Sequence, residues 1–457
     1  MYNKFDNFFS KGKNKMKKYV KSILFVLLML AVFCFQPNKA MAVEEVEFAI
    51  YYQTIEDVVT INEDVSEDAS LWDKAKHLGK SIINWGKKTW ESEITRNYTL
   101  GEGESLWYSK TDSNIAYKVK RTKVTTEEEL IKAMGKSSED ELTYGQKCLL
   151  ASFRAAKSAS MESRADASYR KNIKLILTDT GDYPTGRNDT NPDVRTDFWP
   201  CSSGPTISMS DAKYKYSENS TPSGTEDAYT TTFHEYAHSM DRTFSLQLHP
   251  YGADGKHYTT EITTSRMAFI EGWAEYNEML ESEVMANEYK KNTSSLCYES
   301  QKKGEPVKYS DLDPADATFE QLLAAEAYNC NTLFSLSEKL DNGPAKITKA
   351  FTSTRWNLFR DLKTIVKQLI KQNPDDTEII CKTVDEMFLG KMNEKEFYEM
   401  FGKTDKTKAY FESRGSNSDS NESEEEANVE ISSDSTEVEV SKDKITVESE
   451  SGNPFEE

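Results

Sequence analysis

The stretch Ser223-Gly224-Thr225-Glu226-Asp227-Ala228-Tyr229-Thr230-Thr231-Thr232-Phe233-His234-Glu235-Tyr236-Ala237-His238 decides how this chain is read. Ser223 with Glu226 three residues on makes a capping-box pattern, and Glu226 and Asp227 suit the positive end of a helix dipole. A helix therefore begins about two and a half turns before His234. Four residues advance a helix by about 400°, so His234 and His238 share a face and can offer two imidazole nitrogens to one Zn²⁺. Glu235 lies about 100° around the axis, off the ligand direction but placed to take a proton from water beside the metal. The 457 residues include only five histidines, and two of them make this pattern.

A catalytic zinc needs a third protein ligand and one open position. Downstream, Phe269-Ile270-Glu271-Gly272-Trp273-Ala274-Glu275-Tyr276 lies in an amphipathic segment over about 265–289. Glu271 can complete a His₂Glu set. Glu275, one turn later on the same face, can accept the free ring N–H of a ligand histidine. Two acids on a helix are ordinarily solvated, but the aromatic and aliphatic residues around this pair point to burial with a partner.

These residues resemble a family. His234-Glu235-x-x-His238 followed about thirty residues later by Glu271-Gly272-x-Ala274-Glu275 is similar to the gluzincin branch of zinc metallopeptidases, in particular secreted bacterial members of the thermolysin and clostridial-collagenase type. The resemblance covers about 172–401 and is strongest at the zinc motifs. It implies an α+β, zincin-like catalytic domain: a small mixed sheet with an edge strand and an active-site helix, followed by a helical C-terminal subdomain. It also implies one catalytic Zn²⁺ on His234, His238 and Glu271, peptide-bond hydrolysis, and Glu235 as general base. Glu326-Ala327-Tyr328 and the helix it opens resemble, more loosely, a segment in which a Tyr or His polarises the scissile carbonyl. Tyr328 is the candidate for that role, with His257 or His249 as alternatives from the long interval between His238 and Glu271. Anthrax lethal-factor-like gluzincins are a second comparison, which Asp241 fits and Gly272 fits less well.

Outward from the motif, Asn172-Ile173-Lys174-Leu175-Ile176-Leu177-Thr178 is a compact strand pattern. Beyond a polar loop, Thr206-Ile207-Ser208-Met209-Ser210 alternates with period two and reads as a half-exposed edge strand. Ile207, Ser208 and Met209 are then the substrate-binding candidates, the peptide joining as an added strand. Short extended patterns occur at 47–61, 105–109 and 115–119, an amphipathic piece at 71–90, and a helical rhythm at 144–161. From Thr318 the pattern is helical nearly to Glu412, with Pro344 and Pro374 in the breaks. The expected organisation is a signal peptide at 1–42, an N-terminal region of unknown type or prosegment at 43–124, an upper subdomain at 125–290, a helical lower subdomain at 291–412, and a disordered acidic tail at 413–457.

Composition bounds the partners. There are 57 Lys+Arg against 77 Asp+Glu, a formal charge of −20. Eight Lys and one Asp give 1–42 a charge of +7, whereas fourteen acids and three bases give 413–457 a charge of −11, leaving −16 between them. No basic stripe follows the N-terminus, which argues against a nucleic-acid surface. The Lys-rich run, the thirteen apolar residues at 23–35 and Ala40-Met41-Ala42 read as a secretory signal cleaved after Ala42, giving a secreted protein with no stable membrane insertion. The tail cannot bury enough apolar surface to fold, although its acids could hold Ca²⁺ as a second kind of ion. Five cysteines remain after the signal, none in a CxxC pair, and Cys297 with Cys330 is the only pairing suggested. A secreted zinc endopeptidase is the expected function. A non-catalytic surface or adhesion protein on the same scaffold and a lethal-factor-like toxin protease are the alternatives.

Overall fold

The computed structural model describes residues 47–60, 102–109, 115–167, 172–183, 194–240, 258–300, 308–354, 357 and 360–418. The expected signal peptide, the amphipathic piece at 71–90, Asp241, His249, His257 and most of the acidic tail lie outside them. The chain divides into two units, Met1–Thr407 and Lys408–Glu457. The fold and site below belong to the first.

Six strands form one mixed sheet: β1 (Glu47–Thr60), β2 (Glu104–Tyr108), β3 (Ile115–Val124), β4 (Asn172–Asp179), β5 (Cys201–Ser203) and β6 (Thr206–Ser210), in the order β2-β3-β1-β4-β6-β5. β1 runs parallel to β4, and β4 parallel to β6. The pairs β1/β3, β2/β3 and β5/β6 are antiparallel. β4 reads as a near-continuous apolar run because both its faces are covered, and Ile173, Leu175, Ile176 and Leu177 are all buried. The molecule is thus mixed α+β. The first three strands come from the stretch ahead of residue 125, and β1 separates β3 from β4.

The expectation that Thr206–Ser210 is a half-exposed edge strand is corrected. β5 pairs with it through Cys201–Ser208, Ser202–Ile207 and Ser203–Thr206, so β6 is flanked on both sides. Ile207, Ser208 and Met209 are buried. Period-two alternation describes the pleat but not the number of neighbours, and a three-residue partner such as β5 carries too little pattern to be seen. β5 is the sheet edge on that side.

The helices are α1 (Glu127–Ala133), α2 (Tyr144–Ala156), α3 (Ala159–Ala167), α4 (Val194–Asp197), α5 (Gly224–Met240), α6 (Ser265–Met279), α7 (Glu283–Lys291), α8 (Phe319–Leu323), α9 (Glu326–Lys339), α10 (Gly343–Ser353), α11 (Leu362–Gln372), α12 (Thr377–Met387) and α13 (Glu394–Phe401). A hairpin of β7 (Leu296–Ser300) and β8 (Lys308–Leu312) stands apart from the main sheet. The rhythm over 144–161 is two helices, because Ser158 accepts from the Met161 amide and restarts the helix as α3. Pro344 occupies the first turn of α10, where a missing N–H costs nothing.

Two contacts position the site. α5 packs between α2 and α6, burying Phe233, Tyr236, Ala237 and Met240. α6 is buried from Met267 to Met279 and lies against α9 so closely that a Cβ on Gly272 would come within 2.6 Å of the Asn329 Cβ and 3.0 Å of the Cys330 amide nitrogen and the Glu326 carbonyl. Beside it, Trp273 stacks on Phe351 at 3.9 Å between centroids, and the Arg360 guanidinium lies 3.8 Å over the same Phe351 ring. α6 is therefore held by the two residues that follow Glu271, Gly272 against α9 and Trp273 against Phe351. No helix among the described residues is long and apolar enough to cross a membrane. Cys148, Cys201, Cys297, Cys330 and Cys381 are free thiols, so the suggested Cys297–Cys330 pairing is not formed.

Candidate metal centre

The helix carrying the histidines starts as the sequence predicts, with one difference. Ser223 Oγ accepts from the Glu226 amide at 3.4 Å, which is the first half of a capping box. The Glu226 carboxylate does not return the bond. It accepts from Ser282 Oγ at 2.5 Å and so ties the start of α5 to the start of α7.

One helical turn apart on α5, His234 and His238 bring their Nε2 atoms to 3.0 Å of one another. Glu271 reaches in from α6, its Oε2 lying 3.1 Å from His238 Nε2 and 3.7 Å from His234 Nε2. The residues fit a small cation. Metal bonds of about 2.0–2.1 Å at tetrahedral angles place neighbouring ligand atoms about 3.3 Å apart, and the three edges here scatter about that value. His234, His238 and Glu271 are the one group among the described residues whose donor atoms converge in this way, and they could hold a metal ion. The donor set suits a borderline metal rather than Ca²⁺, which takes six to eight oxygens.

Electrostatics point the same way. Burial works against protonating His234, yet the carboxylates of Glu278, Glu271 and Glu235 outweigh it and push the imidazole well above its ordinary value. The cluster is an acidic enclosure that calls for positive charge. Glu235 is buried, with its carboxyl raised above the usual range by burial and drawn back by His238 and His234. It makes no hydrogen bond to a described residue, and it lines the same cavity of about 330 Å³ as His234.

The carboxylate behind His234 is Glu278, not Glu275. Glu278 Oε1 lies 3.4 Å from His234 Nδ1, within ion-pair reach though not aligned as a hydrogen bond. Its other oxygen accepts from the Tyr289 hydroxyl. Burial would raise the Glu278 carboxyl, but His234 and Tyr289 hold it below its ordinary value. Glu275 instead accepts from Thr259 Oγ1 at 2.8 Å, and burial together with Glu326 pushes it well up. Both acids lie near the direction of Glu271, about 20° away for seven residues and about 40° for four, and the position of the His234 ring selects Glu278.

Tyr328 is also displaced from its expected role. Its hydroxyl donates to the Thr293 carbonyl at 3.0 Å, and burial pushes its pKa to about 12. It lines a different hollow, with Ser335, Lys339 and Glu386. Its position near the start of α9 turns it toward α12, where its ring meets Phe388.

Sequence reasoning missed other residues at the site besides Glu278, among them Lys213, Trp199, Pro200 and Tyr289. Lys213, just after β6, extends Nζ into the cavity, bonding Asp227 Oδ1 at 3.2 Å and Thr231 Oγ1 at 3.3 Å. Trp199, Pro200 and Tyr289 line the same space. The i, i+7 spacing from Glu271 could have found Glu278. The others arrive from separate elements and leave no local signal. Compared with protein-family models, curated proteins and solved structures, the chain matches none of them.

Proposed function

We propose that this chain is a Zn²⁺-dependent metallopeptidase, exported from the cell by its N-terminal segment. The observation that carries the reading is the convergence of His234, His238 and Glu271 at near-tetrahedral spacing, with the buried Glu235 carboxylate facing the same cavity. Zn²⁺ held by those three side chains would supply Lewis acidity toward a scissile carbonyl and a more acidic water at neutral pH.

The chain's own residues would do the rest. Glu235 accepts a proton from the attacking water and returns it to the leaving amine. Its burial supports that role by bringing the pKa closer to the working pH. Glu278, braced by Tyr289 and within ion-pair reach of His234 Nδ1, would favour the ring orientation and tautomer that leave Nε2 free to ligate. The substrate backbone would add to the edge strand β5 rather than to β6. Trp199 and Pro200 lead directly into β5 and line the cavity, so a strand bound there passes the ligands.

Replacing Glu235 with Gln is the direct test of role. The variant should keep its zinc and lose hydrolysis of a peptide library, and undiminished cleavage would refute the assignment.

A further inference from the structure

The cavity beside His234 and Glu235 carries a charge pattern that becomes legible once each group is matched to its partner. Lys213 is engaged by Asp227 and Thr231. Glu278 is engaged by His234 and Tyr289. Glu235 is buried at 7% exposure, makes no hydrogen bond to a described residue and faces the cavity. Glu288, on the outer part of α7, lines the cavity from its exposed rim and makes no ion pair with a described residue, although Lys291 follows it one turn later. Trp199, Pro200, Pro222 and Met285 supply the apolar part of a lining that is otherwise polar.

Resting on the metallopeptidase reading, we propose that this cavity is a specificity subsite for a basic side chain, Lys or Arg, of the peptide substrate, with Glu288 receiving the cation. A side chain that fits needs an aliphatic stem to lie along these apolar residues and a positive tip to meet Glu288, the carboxylate at the rim that makes no ion pair with a described residue. Lys and Arg have that construction. An acidic side chain or a terminal carboxylate would have to draw on Lys213, which Asp227 already neutralises. The charge of the whole chain, −20, acts in the same sense by steering basic polypeptides toward it.

The test separates this subsite from the catalytic reading. Zinc-loaded Glu235→Gln protein is titrated calorimetrically with peptides identical except for Lys, Ala or Glu at one position, moved in turn along the sequence. At one position the Lys peptide should bind about tenfold more tightly than the Glu peptide, the scale of a rim charge. Glu288→Lys in the same background should abolish or invert that ratio, while Glu283→Gln, an exposed acid on the same helix outside the cavity, should preserve it. Equal affinities at every position, or a ratio that survives Glu288→Lys, would overturn the proposal. If the Lys peptide binds preferentially but the unaltered protein leaves it intact, the subsite stands and the metallopeptidase reading fails.

Discussion

Glu278→Gln is the substitution that tells most about how the site is held. The carboxylate is 4% exposed, lies 3.4 Å from His234 Nδ1 and accepts from Tyr289. Glutamine keeps the shape and one acceptor but loses the charge that favours a neutral, ligating imidazole tautomer. Losing such an outer partner commonly weakens metal binding about 10- to 100-fold, or about 1.4–2.7 kcal/mol. With the side chain's shape retained, Glu278→Gln should fall near the lower figure. Glu278→Ala, which also leaves the Tyr289 hydroxyl without its acceptor, should fall near the upper one. Glu275→Gln is the matched comparison. That carboxyl bonds Thr259, and burial with Glu326 already disfavours its charge, so neutralising it should leave zinc affinity within about threefold and should not lower stability. Competition with a chromophoric chelator at constant pH gives all three affinities. If Glu275→Gln weakens zinc more than Glu278→Gln, the assignment of the outer partner is wrong.

Other consequences follow from the same structure. Tyr328→Phe removes one hydrogen bond to Thr293, so it should lower stability by about 1 kcal/mol and leave peptide hydrolysis roughly unchanged; a loss beyond tenfold would place Tyr328 in the reaction after all. Removing residues 1–124 deletes β1, β2 and β3 and strips β4 of one of its two partners. That truncation should be insoluble, and N-terminal sequencing of the mature protein should begin before Glu47. Asp211 is buried, with its pKa raised to about 6 by burial and by Asp179, while the Thr180 amide and hydroxyl donate to it at 2.8 and 2.7 Å. Because the folded state holds this proton more tightly than the unfolded chain, the contribution of Asp211 to stability is greatest below about pH 4 and declines as pH rises toward 6. The decline is at most about 3 kcal/mol. Asp211→Asn keeps an acceptor for both donors and should flatten that part of the curve in denaturant titrations, whereas an unchanged pH slope would contradict the assignment.

What the sequence revealed and what it hid divide along one physical line. His234 and His238 were legible because a helix fixes the angle between residues four apart without help from the rest of the chain. Glu271 was legible because an acid among Phe269, Ile270 and Trp273 must find a buried partner. Gly272 acquires its reason only when α9 is in place, since no local property says that another backbone comes within reach of its missing Cβ. The strands β1, β3, β4 and β6 each show their own pattern. Their order does not, because β1 meets β4 across more than a hundred residues and hydrophobic alternation says nothing about which neighbour is chosen. The same blindness made Thr206–Ser210 look like an edge. Glu275 and Glu278 both satisfy the helical period within tolerance, and only the position of the His234 ring separates them. Lys213 and Tyr289 come from elements that nothing local ties to α5.

The central claim concerns three side chains and one ion, so metal content decides it most directly. Protein purified without chelator and dialysed against metal-free buffer should retain about one zinc per chain by mass spectrometry. The variant His234→Ala/His238→Ala/Glu271→Ala, with its fold verified by circular dichroism, should retain none. Stoichiometric zinc in that variant, or none in the unaltered protein after loading, would contradict the account.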